Sequence, residues 1–213
     1  MRLSCRVLLV DDHAMVRQAL AQVLEDAGAT VVAQVGSVPE GLAAIREQQP
    51  DVVVLDYSLA DQNALMLLER MAASGLEARV LVLSVHESQH YAVRALEAGA
   101  LGYGVKADAI DELVVAIRTV LRGAVYVTPR LAQPVLQALV RPRRERVGLD
   151  ALSPRELELL RLLASGVTLT DAASTMGVGT SAASTYRARL LEKLGLGTTA
   201  ELIRFALEEK LVS

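Results

Sequence analysis

The sequence predicts an α/β domain built on a parallel sheet, followed by a small all-helical domain. Three observations carry this. Short apolar runs alternate with amphipathic segments from residue 6 to residue 122, the pattern of βαβ units. From Leu152 onward the apolar period is purely helical. Charge also divides: residues 1–122 carry ten Lys/Arg against sixteen Asp/Glu, and residues 123–213 carry twelve against nine. An acidic first half and a basic second half point to two domains with different partners.

The elements follow in order. Arg6–Val10 is the first strand, and Met15, Val16, Ala19, Leu20, Val23 and Leu24 recur at helical spacing until Gly28 stops the segment. Thr30–Val35 is the second strand, and Pro39 opens a helix through Ile45. Asp51–Leu55 is the third strand, and Ala64–Ala73 is a helix closed by Gly75. Val80–Leu83 is the fourth strand, ending at Ser84, and the helix after it runs from Ser88 to Ala98 with Gly99 as its stop. Gly102–Val105 is the fifth strand, and Ala109–Arg122 is the last helix of a domain spanning residues 1–122.

Residues 123–148 read as a linker. Gly123–Thr128 is turn-like, Pro129–Val140 is a connecting helix broken by Pro134, and Arg141–Gly148 is charged without an apolar period. The second domain, 149–213, opens on Ser153-Pro154-Arg155-Glu156, with Ser as N-cap, Pro at the first helical position and Glu at the third. Leu157, Leu160, Leu163 and Ala164 form the apolar face of that helix, and Gly166 ends it. Thr168–Met176, Thr180–Leu194 and Thr199–Glu209 are three further helices. Two short helices joined by a Gly-containing turn make a helix-turn-helix unit.

Several function classes are disfavoured. No apolar stretch reaches the roughly 18–20 residues that span a bilayer. The apolar run before Asp11 is too short for a signal peptide. A lone cysteine, Cys5, forms no internal disulfide. The expectation is a cytoplasmic protein. His13, His86 and His90 lack zinc-site spacing.

Asp11 and Asp12, Asp56, Ser84 and Lys106 each follow an apolar strand. Open parallel sheets bind ligands outside the carboxyl ends of their strands, so these residues are expected around one crevice. Three carboxylates close together repel unless a cation neutralises them, and an all-oxygen site suits Mg²⁺. A carboxylate beside such a cation can take a phosphoryl group as nucleophile, with Lys106 balancing charge from the other side. Asp56 is the natural acceptor, because it stands alone, while Asp11 and Asp12 form a paired platform. Ser84 can donate a hydrogen bond to a phosphoryl oxygen. An aspartyl-phosphate hydrolase would want a second carboxylate two residues after the nucleophile, where this chain has Ser58.

These motifs, with the Gly102-Tyr103-Gly104-Val105-Lys106 stretch, make residues 6–122 resemble the receiver domain of two-component response regulators. The resemblance implies a flavodoxin-like five-stranded parallel sheet of order 2-1-3-4-5, and phosphotransfer from a sensor histidine kinase to Asp56. It places Mg²⁺ on Asp12 and Asp56, on Asp11 through water, and on the main-chain carbonyl of Ser58. Tyr103 matches the aromatic that turns inward when Ser84 moves toward the phosphoryl group. The chain departs from the family pattern after the acceptor. Leu59-Ala60 replaces the usual Met-Pro pair, and Ala64 replaces a Gly.

Residues 149–213 resemble LuxR-type helix-turn-helix domains, and the whole chain resembles the NarL/FixJ class of response regulators. Ser184–Gly195 matches the recognition-helix segment. Leu190, Leu191 and Leu194 would face the core, leaving Ser181, Ser184, Thr185, Arg187 and Arg189 to DNA, with Lys193 also on that helix. The domain nevertheless has seven basic and eight acidic residues, a weak footprint for a DNA binder. The expected function is a phosphorylation-switched, promoter-binding transcriptional regulator. It would form a homodimer on phosphorylation and bind DNA half-sites, with RNA polymerase as a further partner. The alternative is an interaction protein or phosphate sink whose helix-turn-helix domain no longer binds DNA.

Overall fold

The computed structural model describes residues 2–59, 62–140, 148–209 and 211. Two compact units are present, residues 1–136 and 137–213. The charged stretch 141–147 and Ala60 lie outside the described residues.

In the first unit, strands β1 (Arg6–Val10), β3 (Val52–Asp56), β6 (Arg79–Ser84) and β7 (Gly102–Val105) form the middle of a parallel sheet. Their apolar residues are almost wholly buried, which explains continuous rather than alternating apolar runs. Strand β2 (Thr30–Val35) pairs with β1, and β8 (Tyr126–Val127) pairs with β7. The sheet order is therefore β2-β1-β3-β6-β7-β8. A separate two-stranded antiparallel pair, β4 (Ser58–Leu59) and β5 (Gln62–Asn63), brackets the loop after Asp56.

Six strands rather than five make the sheet, because Gly123–Thr128 is not merely a turn. The Tyr126 amide donates to the Leu101 carbonyl and the Thr128 amide to the Tyr103 carbonyl, both at 3.0 Å. Two residues are too few to show a strand periodicity in sequence.

Helices α1 (Ala14–Asp26) and α5 (Ala109–Leu121) share a core with Val7, Leu9, Val54, Leu81 and Leu83. Leu20, Ala21 and Leu24 are the buried residues of α1, while Met15 is 84% exposed, so the apolar face is shifted from the expected one. Helix α2 (Val38–Gln48) starts at the Ser37 cap and continues past Ile45. Gln49 takes a left-handed conformation (φ 44°) and ends it without the glycine that usually marks a stop. Helices α3 (Ala64–Ala73) and α4 (Gln89–Glu97) complete the layer with α2, capped by Asn63 and Ser88 respectively. Helix α6 (Pro129–Val140) is continuous through Pro134, which forfeits a backbone hydrogen bond without breaking it.

In the second unit, α7 (Pro154–Ala164) has the expected capping box between Ser153 and Glu156. Leu159 is fully buried there with Leu157, Leu160 and Leu163, whereas Ala164 is only half-buried. Helices α8 (Leu169–Thr175) and α9 (Thr180–Leu194) form the helix-turn-helix, and Thr198 caps α10 (Thr199–Glu208). Gly177 supplies the positive φ (65°) that lets the chain leave α8 and enter the turn.

Candidate functional site

The parallel register explains why residues distant in sequence meet. Val10 pairs with Leu55, Asp56 with Leu83, and Ser84 with Val105, so four strand ends finish at one level. Asp11, Asp56 and Ser84 are buried there. Lys106 reaches across from the end of β7 and places Nζ 2.6 Å from Asp11 Oδ2 and 2.8 Å from Asp56 Oδ2. The ammonium thus joins the first and third strands of the sequence through the fifth predicted one.

Asp56 Oδ1 accepts from the Ser58 amide at 3.3 Å, which orients the carboxylate. Asp11 Oδ1 accepts from the His13 amide at 2.8 Å, and the Arg17 guanidinium donates to the Asp11 carbonyl. His13 Nδ1 lies 2.7 Å from Asp12 Oδ1, so a histidine stands at the rim of the acidic group. His13 has no zinc-site spacing, and its place at the rim follows from its position directly after the acidic pair.

Burial pushes the Asp56 carboxyl above the usual carboxylate range, against the pull of Lys106 and with the help of the Asp11 charge. Burial would lower Lys106, but the hydrogen bonds to Asp11 and Asp56 outweigh it and hold the ammonium above its ordinary value. Ligand atoms of Asp11, Asp12, His13 and Asp56 all lie within 4.8 Å of one another. Three carboxylates against one lysine leave two negative charges in that space. An oxygen-rich donor set with that deficit fits a hard divalent cation such as Mg²⁺.

Ser84 Oγ accepts from the His86 amide at 3.0 Å, and Tyr103, fully buried, donates its phenol to the His86 carbonyl at 2.9 Å. The hydroxyl and the inward aromatic are thus held by the two faces of one residue. The His86 ring stacks on Tyr91 at 4.6 Å, and Tyr91 meets Tyr57 edge to face at 4.9 Å. After the acceptor, Ala64 is buried and its amide donates to the Tyr57 carbonyl at 2.9 Å, so α3 starts without the family glycine.

In the second unit, Ser181, Ser184, Thr185 and Arg189 are exposed along α9, and Arg187 is half-buried. The Thr185 hydroxyl donates to the Ser181 carbonyl at 3.0 Å. Lys193 differs from the other cations. Its Nζ is 2.7 Å from the buried Glu156 Oε2 and 3.1 Å from the Ala151 carbonyl, so it serves the fold of the domain.

Residues 7–118 match the family described as the response regulator receiver domain. The chain is a response regulator. Residues 150–206 of this response regulator match the bacterial regulatory proteins of the luxR family. It is 37% identical over 213 residues to the transcriptional regulatory protein MctR of Rhizobium johnstonii, covering 100% of this chain and 97% of that protein. It is 32% identical over 208 residues to the response regulator GacA of Pseudomonas viridiflava, covering 97% of each. RcsB of Salmonella enterica serovar Typhimurium, solved bound to a promoter in the presence of a phosphomimetic, shares its fold with a TM-score of 0.74. That comparison covers 98% of this chain and 99% of the other at 20% identity. The response regulator therefore combines a receiver domain with a LuxR-type DNA-binding domain, as DNA-binding transcriptional regulators of two-component systems do. Among the described residues no helix is long and apolar enough to cross a membrane.

The Glu156–Lys193 pair gives a prediction of its own. Burial would raise the Glu156 carboxyl, but Lys193 and the Ser153 amide and hydroxyl together hold it below its ordinary 4.5. Because the folded value is depressed, this stabilisation is complete above about pH 4.5 and disappears as pH falls through the lower folded value. Glu156→Gln should cost about 1–2 kcal/mol at neutral pH, allowing for the partial exposure of Lys193. It should also flatten the acid limb of the unfolding curve of this domain. Equal acid sensitivity in the variant would contradict the assignment.

Proposed function

We propose that Asp56 is the phosphoacceptor and that its phosphorylation by a sensor histidine kinase switches promoter binding by the helical domain. One observation carries the reading: Lys106 bridges the buried Asp56 and Asp11 at 2.8 and 2.6 Å, with the half-buried Asp12 beside them. Asp56 attacks the donor phosphorus and forms the new P–O bond as the donor's leaving group departs. When bound, Mg²⁺ supplies charge neutralisation for that transfer, and Asp11, Asp12, Asp56 and the Ser58 carbonyl are the groups to hold it. The Lys106 ammonium then pairs with the phosphoryl oxygens, and Ser84 turns its hydroxyl from the His86 amide toward them.

Ser181, Ser184, Thr185, Arg187 and Arg189 form the DNA-reading face of α9 in this proposal. Hydroxyls read base edges or phosphates, while guanidinium groups neutralise phosphates. Homodimerisation follows phosphorylation, RNA polymerase is a further partner at promoters, and the protein acts in the cytoplasm. The test is incubation with a small phosphodonor and Mg²⁺, followed by mass mapping of the modified residue. A single added phosphoryl group on Asp56 is expected, and label on another residue would overturn the assignment.

Lys106→Ala separates the two roles of the site. Removing a cation beside three carboxylates favours Mg²⁺ binding, so labelling should persist within about tenfold. Dimerisation on phosphorylation should be lost, because the phosphoryl group has lost its charge-assisted partner. Lost labelling with normal dimerisation of the labelled fraction would show the roles to be reversed.

A further inference from the structure

The segment that follows α5 is fastened to the first unit in three ways. Its backbone extends the sheet through Tyr126 and Thr128, and the Thr128 hydroxyl accepts from the Val105 amide at 3.0 Å. The Tyr126 phenol donates to Glu112 on α5. The third fastening is Arg130, in the first turn of α6. Its Nη2 lies 3.0 Å from Glu87 Oε1 and 2.8 Å from Asp108 Oδ2.

These fastenings differ in how readily they open. Tyr126 and Thr128 are buried, and releasing them would leave buried polar groups unpaired. The Arg130 fork is partly hydrated, with side-chain exposures of 43% for Arg130, 54% for Glu87 and 30% for Asp108. Each arm is worth no more than about fivefold in an equilibrium. A contact of that size suits a switch, since a small shift in one partner is enough to break it.

The positions of the two acids decide what such a switch would sense. Glu87 is three residues beyond Ser84, and Asp108 is two beyond Lys106. The segment carrying Glu87 is tied to both switch side chains, because His86 holds the Ser84 hydroxyl through its amide and the Tyr103 phenol through its carbonyl. Any movement of Ser84 toward a phosphoryl group displaces Oγ, the atom on which the His86 amide is held at 3.0 Å.

We propose that Arg130 is a positioning residue that couples the phosphorylation state of the crevice to helix α6. The inference rests on Asp56 as acceptor. In the unphosphorylated protein both arms hold the first turn of α6. On phosphorylation Ser84 releases His86, the 85–87 segment shifts, and the Glu87 arm opens while the Asp108 arm remains. In sequence, helix α6 is the last described helix before residues 149–213, so its first turn lies on the covalent path from the crevice to the helical unit.

Hydrogen exchange of the full-length chain, with and without phosphodonor and Mg²⁺, tests this. In the unaltered protein, phosphorylation should speed exchange over residues 131–136 about fivefold. Glu87→Ala should exchange there at the faster rate before phosphorylation, with less than about twofold further change after it. Arg130→Ala, which loses both arms, should exchange faster still and also respond less than about twofold, while Arg130→Lys, keeping the charge but not the fork, should fall between it and the unaltered chain. Mass analysis of the same samples reports label on Asp56 independently. Full labelling with an unchanged phosphorylation response in Glu87→Ala, or with no response in the unaltered chain, would overturn the coupling alone. Absence of label on Asp56 would overturn the acceptor assignment and the coupling together.

Discussion

Asp56→Asn is expected to take no phosphoryl label under conditions that label the unaltered chain fully. An amide nearly matches the carboxylate in shape, so the fold should persist, with Lys106 still paired to Asp11 at 2.6 Å. The amide lacks the anionic oxygen that would attack phosphorus in the proposed transfer, and it removes one of three carboxylates from the cluster. Asp12→Asn keeps the nucleophile and weakens the cation site instead. Its labelling rate should fall at least about tenfold, since even indirect supports of metal sites cost that much when removed. Excess Mg²⁺ should recover part of the Asp12→Asn loss and none of the Asp56→Asn loss. A chelator should stop labelling of the unaltered chain. Labelling of Asp56→Asn, or labelling indifferent to chelation, would remove Asp56 and the acidic pair from their roles.

The second large effect lies in DNA affinity. Helix α9 carries three cations in sequence, but Lys193 is committed to Glu156 and the Ala151 carbonyl. In the proposed DNA-reading face, Arg187 and Arg189 are the cations of that helix left to meet phosphates. Each neutralised phosphate contributes about −0.9 to the slope of log affinity against log salt, so one copy should show a slope of about −2. Two copies on paired half-sites should show about −4. A domain with seven basic and eight acidic residues gains little from long-range attraction, so one copy should bind feebly. Pairing two copies raises the effective concentration of the second, worth about 10²–10⁴ in avidity. In the proposed switch, phosphorylation would supply the pair.

Much of this is legible in the sequence, for physical reasons that can be named. Side chains at strand ends are forced together by parallel register, so Asp11, Asp56, Ser84 and Lys106 announced a common crevice. The start of α7 was legible because a capping hydroxyl, Ser153, precedes an apolar period. Strand β8 was not, because two residues carry no period and its pairing depends on a neighbour already in place. Gln49 hid the end of α2 by adopting a conformation usually left to glycine. Met15 lies on the apolar period of α1 yet is exposed, because burial begins further along the helix at Leu20, and spacing alone does not fix which turns of a helix are covered. The double duty of His86 was invisible, because both of its bonds are made by the backbone. The loss of Lys193 to Glu156 was also hidden, since that pair joins residues 37 apart in sequence. Charge on a helix shows that a cation is present, and only packing shows what it faces.

The most direct test of the account is a binding titration of the full-length chain on DNA carrying two half-sites about one helical turn apart. It is run from about 50 to about 200 mM salt, before and after phosphorylation, with Asp56→Asn as control. The account predicts an affinity gain of about 100-fold on phosphorylation, a salt slope that roughly doubles, and no change in the control. Tight, steeply salt-dependent binding by the unphosphorylated protein, or an affinity unmoved by full labelling of Asp56, would contradict it.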